Sequence, residues 1–326
     1  MVVGTTCQHL VVSTERRRTA LAAFAIALPF VLTASGGAVA GSAASPAARI
    51  VFVNVGQGDG VVMKVGSKVI VSDAGEFDVE NMNEALLSLD ATQIDVAILS
   101  HPHQDHVKNF VALIDEYGWN VKLAVLSRSA YWRGTDTNRA IMDRLAANGV
   151  PLRFVTAGQD FDWGGGDWRI LNPPKGKYAG KDDAANASVA YLLTVKDVRA
   201  LFTGDIEPDV AGDVAQELVD DGLDQGVDVF LATHHGSKYG SVIDLLNVIH
   251  PRWVVLSTGP NGFHHPAAST IQRLEDTGAS IWCTNANGSV TARVSASGLL
   301  TWRASKQVAP WWSAEAKKET GICVDQ

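Results

Sequence analysis

Cysteine is scarce in this chain of 326 residues, which contains only three. Three thiols cannot form a disulfide scaffold or a four-cysteine zinc site. Charged residues make up only 19% and hydrophobic residues 46%, a balance that excludes a disordered chain and a coiled coil. Acidic residues exceed basic ones, with a formal net charge of −8, so bulk positive charge for holding duplex DNA is lacking.

The N-terminal 40 residues have the order of a secretory signal. Arg16, Arg17 and Arg18 precede a short apolar run at residues 20–33, and small residues ending in Ala38-Val39-Ala40 follow. A basic flank, about 7–15 apolar residues and an A-x-A site are typical of a cleaved signal. The alternative is a permanent anchor, but the run is short for a span of about 20 residues. We therefore expect a protein secreted to the extracellular space or cell envelope, without stable membrane association after cleavage.

Removal of residues 1–40 changes the charge further. This segment carries three arginines and one glutamate, so the remaining chain has a net charge of −10. A nucleic-acid substrate would then have to be held locally, by metals and by basic residues such as Lys108 or Lys238, rather than by a global field.

After a linker at residues 41–48, strand and helix patterns alternate over residues 49–303. Short β-branched runs between glycine-containing turns predict strands, for example at residues 60–65 and 198–202. Amphipathic runs predict helices, for example at residues 107–117. Two strand-rich halves that each carry helices predict two sheets packed face to face with helices outside.

The C-terminal segment, residues 304–326, is predicted to be an appended tail. Cys283 and Cys323 are the two cysteines outside the expected signal. They could form a disulfide that pins this tail, or they could be two unrelated thiols. Both interpretations stay open, because sequence spacing does not position two Cβ atoms.

The densest chemical signal is Ser100-His-Pro-His-Gln-Asp-His106, directly after a predicted buried strand. Three imidazoles and one carboxylate therefore lie within six residues at the exit of a strand. These are ligands that zinc, manganese and iron accept. A solvated polar loop is the alternative, but the density of ligand-type side chains favours a metal site.

Other ligand-type residues also follow predicted strands. Asp205 ends an apolar strand, His234 and His235 end another, and Asp73 lies at a third strand end. Loops on a rigid sheet commonly converge on one edge to form a site. A lone Gly-Asp pair at a strand end is more often a turn, but beside a histidine cluster Asp205 becomes a candidate bridging carboxylate.

The order of these motifs resembles the metallo-β-lactamase fold superfamily. Within that superfamily, several segments are similar to the hydrolase-like domain of the competence protein ComEC and equally to choline-phosphate esterases of bacterial surfaces. The segments are residues 53–59, 72–75, 186–189, 202–205 and 234–237. The resemblance extends over nearly all of residues 49–303. It implies an α/β fold, a four-layer αββα sandwich of two mixed sheets with helices outside.

The resemblance also implies two divalent metal ions, with zinc expected first and manganese as the alternative. The ligands it implies are His101 and His103 for one ion, Asp105, His106 and His235 for the other, and Asp205 as the bridge. The family's nucleophile is a hydroxide, which forms because the ions lower the pKa of a bound water.

Further roles follow from the same resemblance. His234 would hydrogen-bond a phosphate oxygen or protonate the leaving group, or would only orient its neighbour. His265 would lie at the rim of the site, with a turn histidine as the alternative. Asp105 is grouped with these two histidines as catalytic, and Asn186 and Ser237 are expected to contact substrate.

Supporting and structural roles are expected for three other polar residues. Asp59 and Asp73 are interpreted as groups that orient ligands or stabilise turns. His250, in an apolar context before a proline, is interpreted as structural.

One departure from the wider superfamily is informative. No histidine lies between His106 and His234, whereas many superfamily members place a third imidazole ligand in that interval. We therefore expect the first metal to be weakly held, rich in water or exchangeable. The departure also argues against a true β-lactamase.

The leading functional expectation is an exported, metal-dependent phosphodiesterase or nuclease. Its partner would be a small-molecule or nucleic-acid phosphodiester, and no obligate protein partner is evident. One alternative is a lactone or β-lactam hydrolase on the same fold. Another is a non-catalytic binding domain, which would be expected to have lost ligands that this sequence retains.

Overall fold

Two β-sheets stack face to face in the computed structural model, which describes residues 45–176 and 183–306. Chain contacts divide the protein into two units, residues 1–43 and 44–326, and every described residue belongs to the second. The expected signal at residues 1–40 and most of the expected tail therefore lie outside the described residues.

The described residues form fifteen strands in two sheets. The strands are β1 (Ala48–Phe52), β2 (Gly60–Val65), β3 (Lys68–Ala74), β4 (Val96–Leu99), β5 (Ala124–Leu126), β6 (Leu152–Phe154), β7 (Asp160–Trp163), β8 (Gly166–Asn172), β9 (Ala190–Val195), β10 (Val198–Phe202), β11 (Val229–Leu231), β12 (Trp253–Leu256), β13 (Ser280–Cys283), β14 (Val290–Val294) and β15 (Leu300–Ala304). The first sheet has the order β15-β14-β1-β2-β3-β4-β5-β6, and the second has the order β13-β12-β11-β10-β9-β8-β7.

Seven α-helices connect these strands within the described ranges. They are α1 (Val79–Ser88), α2 (Gln104–Asp115), α3 (Asp136–Ala147), α4 (Pro208–Asp220), α5 (Ile243–Ile249), α6 (Ala268–Asp276) and α7 (Thr284–Asn287). Two short 3₁₀ helices, Ala130–Arg133 and Thr233–Gly236, complete the regular structure.

Three apolar clusters separate four layers. Between the sheets lie large side chains such as Phe52, Trp168 and Tyr191. On the outer face of the first sheet, residues of α1, α2 and α3 pack against the strands. On the outer face of the second sheet, residues of α4, α5 and α6 do the same. This is the predicted αββα sandwich of two mixed sheets, which is confirmed.

Each sheet contains a run of parallel strands, and these runs place the polar loops. Strands β3 to β6 are parallel in the first sheet, and β10 to β13 are parallel in the second. The carboxyl ends of parallel strands meet at one edge of a sheet, where open α/β folds form their sites. The His101–His106 segment, Asp205 and the His234–His235 pair all follow strands of these runs.

The structure differs from the sequence expectation at the start of α2. This helix begins at Gln104, three residues before the predicted start at residue 107. Asp105 and His106 therefore lie in the first helical turn and not in a loop. The first three residues of the helix are polar, so its apolar periodicity begins only at Val107.

Four strands were not predicted from the sequence. Strands β5 and β6 have only three residues each, too few for a periodic pattern. Strands β7 and β8 form a hairpin across Gly164 and Gly165, both with positive φ. An alternating Asp-Phe-Asp-Trp run before a two-glycine turn is an ordinary hairpin signal, so this element was predictable.

No helix in residues 45–176 or 183–306 is long and apolar enough to cross a membrane. Cys283 is buried at the end of β13 and is disulfide-bonded. Cys7 and Cys323 lie outside the described residues, so the pairing of Cys283 with Cys323 stays a prediction.

Candidate metal centre

His101 is fixed at the end of β4 by two hydroxyl groups. Its Nδ1 lies 3.0 Å from Ser100 Oγ and 3.2 Å from Ser188 Oγ. Its Nε2 therefore faces the opposite way, 2.9 Å from Nδ1 of His103. Burial, together with the neighbouring His106, holds the pKa of His101 well below its ordinary value. The imidazole is neutral, which is the state that a metal ligand requires.

His106, in the first turn of α2, bridges two carboxylates. Its Nδ1 lies 2.8 Å from Asp73 Oδ2, and its Nε2 lies 3.2 Å from Asp205 Oδ1. Burial acts to lower the pKa of His106, but the two carboxylates together raise it well above its ordinary value. Asp73 thus orients the ring and directs Nε2 towards Asp205, a common arrangement behind metal-bound histidines.

His235 is held in the same way at the tip of β11. Its Nδ1 lies 3.2 Å from the Ser257 carbonyl oxygen and 3.3 Å from Asp59 Oδ1. Its Nε2 lies 3.1 Å from Nε2 of His106 and 3.4 Å from Asp105 Oδ2. Burial opposes protonation of His235, but the carboxylates of Asp205 and Asp59 raise its pKa well above the ordinary value.

Asp205 lies between the two groups of histidines. One oxygen, Oδ1, approaches His106, while Oδ2 lies 3.7 Å from His101 Nε2 and 3.5 Å from His234 Nε2. Oδ1 is buried and accepts no hydrogen bond. Burial acts to raise the pKa of Asp205, but the surrounding imidazoles hold it well below its ordinary value.

The donors fit divalent cations. Two groups have ligand-type atoms within 4.8 Å of one another, and they share Asp205: one is Asp59, His106, Asp205 and His235, and the other is His101, His103 and Asp205. In the first group two Nε2 atoms and a buried carboxylate oxygen with no hydrogen bond converge on one point. A cation there would satisfy all three.

Asp105 and Asp59 have different relations to His235. Asp105 approaches Nε2, the nitrogen that also faces His106 and Asp205. Asp59 approaches Nδ1, on the opposite side of the ring. The contacts therefore suit Asp105 as a ligand and Asp59 as an orienting group, although Asp59 is the member of the tight cluster. This assignment of ligands stays a prediction.

Gly58 and Gly204 allow the loops that carry the candidate ligands to approach one another closely. A Cβ on Gly58 would lie 2.0 Å from the Asp105 carbonyl oxygen, and the adjacent Asp59 amide donates to that oxygen at 3.1 Å. A Cβ on Gly204 would lie 2.8 Å from Ser188 Oγ. Both glycines have positive φ, a conformation that a side chain would strain.

His234 and His265 lie at the mouth of the site. Their rings are 5.5 Å apart, and His234 is partly exposed beside Asp205. Burial and the nearby His234 lower the pKa of His265 to about 4, so this ring is neutral at neutral pH. Its Nδ1 is buried without a hydrogen bond.

The structure does not turn Asn186 and Ser237 towards the metal ligands. The Asn186 amide bonds Asp183 and the Glu207 amide. Ser237 is buried and its hydroxyl accepts from the Tyr239 amide. Their expected contact with substrate therefore stays a prediction without a supporting contact.

Two residues support the ligands in ways that the sequence did not assign, although Ser188 belongs to the 186–189 motif. Ser188 contacts His101 and also accepts a hydrogen bond from the Asp205 amide at 3.2 Å. Ser257 contributes its carbonyl oxygen to His235 and its hydroxyl to the Gly58 carbonyl at 2.7 Å. Ser257 follows β12, so its place at a strand end was an available signal.

Comparison with curated proteins finds two distant relatives. ComE operon protein 3 of Bacillus subtilis is 25% identical over 202 residues, which cover 62% of this chain and 25% of the relative. Recombination protein 2 of Haemophilus influenzae is 25% identical over 276 residues, which cover 82% of this chain and 32% of the relative. The chain thus spans a third or less of the length of either relative.

Comparison with solved structures supports the fold. CmlA, a diiron beta-hydroxylase from Streptomyces venezuelae, aligns with a TM-score of 0.50 at 14% identity, covering 76% of this chain and 54% of that protein. The family model described as the metallo-beta-lactamase superfamily matches residues 53–259. That match covers more than half of the sequence and includes every implied metal ligand. The chain therefore belongs to the metallo-beta-lactamase superfamily.

Proposed function

We propose that this protein is an exported, metal-dependent hydrolase that cleaves phosphodiesters. The observation that carries the proposal is the pair of ligand clusters that share Asp205, where strand ends of the two sheets meet. Export is supported by the N-terminal sequence pattern, and zinc or manganese by the mixture of imidazole and carboxylate donors.

The chain's own residues would arrange the reaction. When bound, a pair of divalent ions lowers the pKa of water and neutralises charge on phosphodiester oxygens. Asp205 would be a ligand shared by both metal groups. Asp73 would fix the ring of His106, and Asp59 would fix the ring of His235. His101 and His103 would complete the first group.

His234 is placed to act on the substrate itself. Its Nε2 is near Asp205, and its ring is partly open to solvent, unlike the buried rings of His106 and His235. It would hydrogen-bond a non-bridging phosphate oxygen or donate a proton to the leaving oxygen. The neutral ring of His265 would accept or donate a hydrogen bond at the rim without adding charge.

Three exposed aromatic side chains favour a substrate with bases. Phe77, Tyr239 and Phe263, which we call the aromatic rim, are 50%, 57% and 72% exposed. Phe263 stacks on His265, and Lys238 lies 4.7 Å from the centre of the Tyr239 ring. Exposed rings beside cations are how proteins bind single-stranded nucleic acid. A relative named for recombination is consistent with a nucleic-acid or nucleotide substrate.

The composition of the first ligand group supports a phosphodiester over a β-lactam. It contains two imidazoles and Asp205, without the third imidazole expected of a β-lactamase. A non-catalytic domain would be expected to have lost ligand residues, whereas both ligand groups are complete here.

The test is hydrolysis of bis(p-nitrophenyl) phosphate, single-stranded DNA and a β-lactam by protein loaded with zinc or manganese. Asp205→Asn keeps the shape of the side chain but removes its charge, and we expect phosphodiester hydrolysis to be lost. Asp209→Asn, on an exposed residue of α4, is the matched control and should retain full activity. Turnover of the β-lactam alone would overturn the substrate assignment, and no turnover with either metal would overturn the enzymatic proposal.

A further inference from the structure

Three arginines line a groove on the outer face of the first sheet. Arg49 of β1, Arg293 of β14 and Arg303 of β15 border a cavity of about 720 Å³, and we call it the arginine groove. Its opposite wall is α1. Glu84 is the one carboxylate among the groove's lining residues.

The three arginines lie on one face of the sheet. Arg49 and Arg293 are directly opposite in an antiparallel pair, where Cβ atoms are about 4.5–5.5 Å apart. Arg303 pairs with Thr291, two residues from Arg293, and therefore lies on the same face of the sheet. Like charges placed directly opposite destabilise a sheet.

The cations of this groove are not neutralised by the protein. Neither Arg293 nor Arg303 forms an ion pair within residues 45–176 and 183–306, and both are exposed. Arg49 donates to the Ser88 carbonyl oxygen of α1. In a chain with a net charge of −8, three uncompensated guanidiniums around one cavity are a local exception.

The groove begins beside the loop that leads to the metal centre. At the end of the groove formed by Asn81 and Ser289, the Asn81 side-chain amide donates to the Asn54 carbonyl oxygen at 2.8 Å. The Asn54 backbone amide donates to Ser289 Oγ at 3.1 Å. The same loop continues to Asp59, whose amide donates to Asp105. The α1 wall starts two residues after Phe77 of the aromatic rim.

We infer that the arginine groove binds the sugar–phosphate backbone of a single-stranded nucleic acid. The choice of ligand rests on the proposed function, since a strand that reaches the metal centre past Phe77 can continue along α1. Guanidinium groups bind phosphate oxygens in bidentate geometry, and hydroxyls of Thr291 and Thr301 lie on the same face. The groove therefore extends the metal centre into a track for a polymer.

The experiment measures binding of a fluorescent, phosphorothioate-linked oligo-dT of about 15 nucleotides to the metal-loaded protein by anisotropy. For Arg293→Gln combined with Arg303→Gln we expect roughly tenfold weaker binding. The slope of log affinity against log salt should become less steep by about 1.4, since two phosphate contacts are lost. Hydrolysis of bis(p-nitrophenyl) phosphate should be unchanged, because this small ester does not reach the groove.

Two control variants separate a local site from a general charge effect. Lys122→Gln combined with Arg153→Gln removes the same charge near β5 and β6, at the opposite edge of the first sheet, and should leave oligo-dT binding unchanged. Arg293→Lys combined with Arg303→Lys retains the charge and should keep the salt slope. Unchanged binding in the Arg293→Gln and Arg303→Gln variant, or an equal loss in the Lys122 and Arg153 control, would overturn the proposal.

Other outcomes are also decisive. Binding of inorganic polyphosphate without binding of oligo-dT would overturn the assigned ligand. Arginine-dependent binding of oligo-dT without hydrolysis of any phosphodiester would support the groove while overturning the proposed function.

Discussion

His234 and His235 share a backbone conformation that residues other than glycine rarely adopt. Their φ angles are 53° and 54°, in the left-handed region. Such residues cost about 1–2 kcal/mol each. The conformation persists because it directs His235 into the buried ligand cluster and His234 to the mouth. Strain that is held by surrounding contacts is common at functional sites.

We predict that His234→Gly is more stable than His234→Ala by about 1 kcal/mol. Both variants lose the imidazole, but only glycine adopts positive φ without strain. Urea denaturation measures the difference, and both variants should lose most hydrolysis. Equal stability of the two variants would show that the left-handed conformation is not strained.

Gly204 is a second residue whose substitution should be informative. In Gly204→Ala the new Cβ would displace Ser188, which contacts both His101 and the Asp205 amide. We expect a loss of roughly 2 kcal/mol of stability and weaker metal binding by the His101 group. Gly212→Ala, in α4 with nothing within 4 Å of the new atom, is the control and should be neutral or stabilising. Metal titration of both variants tests this, and equal affinities would contradict it.

At the scale of elements, strand ends made much of the site predictable. The cluster His101–His106 and the tips at Asp205 and His235 were found because apolar strands end directly before them. The start of α2 was missed because polar residues occupy its first turn, and His103 precedes it without a side-chain cap hydrogen bond. The roles of Ser188 and Ser257 were not assigned, although Ser188 lies in the 186–189 motif and Ser257 follows a strand, because their contacts join elements far apart in the chain.

Metal binding should depend on pH, because His106 of α2 and His235 after β11 lie against carboxylates. Asp205, with Asp73 at His106 and Asp59 at His235, raises the pKa of both histidines, so protons compete with the metal at these rings up to a higher pH than at an ordinary histidine. Metal binding must release these protons. We therefore expect metal affinity to rise with pH from the ordinary histidine pKa of about 6.5 up through the raised values.

Calorimetry in two buffers of different ionisation enthalpy measures the protons released. In the metal-free protein the same histidine–carboxylate contacts stabilise the fold at low pH, and this contribution is lost as pH rises through the raised pKa values. Metal affinity that does not change with pH, with no proton release, would contradict the assignment of these histidines as ligands.

At the scale of the whole molecule, a tryptophan cluster joins the two sheets away from the metal centre. Trp302 of β15 lies 5.2 Å from Trp253 and 6.1 Å from Trp282 between ring centres. Both partners belong to the second sheet, so Trp302 connects β15, an edge strand of the first sheet, to the second sheet across the core.

We predict that Trp302→Ala lowers the free energy of unfolding by about 3 kcal/mol while leaving metal content unchanged. Leu299→Ala, at an exposed residue that precedes β15, is the control and should change stability by less than about 0.5 kcal/mol. Chemical denaturation and metal analysis of both variants test this. A parallel loss of bound metal would show that the cluster also supports the site.

The overall architecture was more predictable than its details. Motif order indicated the four layers, and β2 and β10 have the predicted bounds. The sequence did not show that three arginines from β1, β14 and β15 meet, because that depends on the register between strands far apart in the chain. Net charge alone therefore did not reveal where an anion would bind.

Anomalous scattering from crystals grown with zinc or manganese tests the dinuclear centre most directly. We predict two ions roughly 3.5–4 Å apart, one beside His101 and His103 and the other beside His106 and His235, with Asp205 between them. A single ion, or two ions that do not share Asp205, would contradict the proposed dinuclear centre.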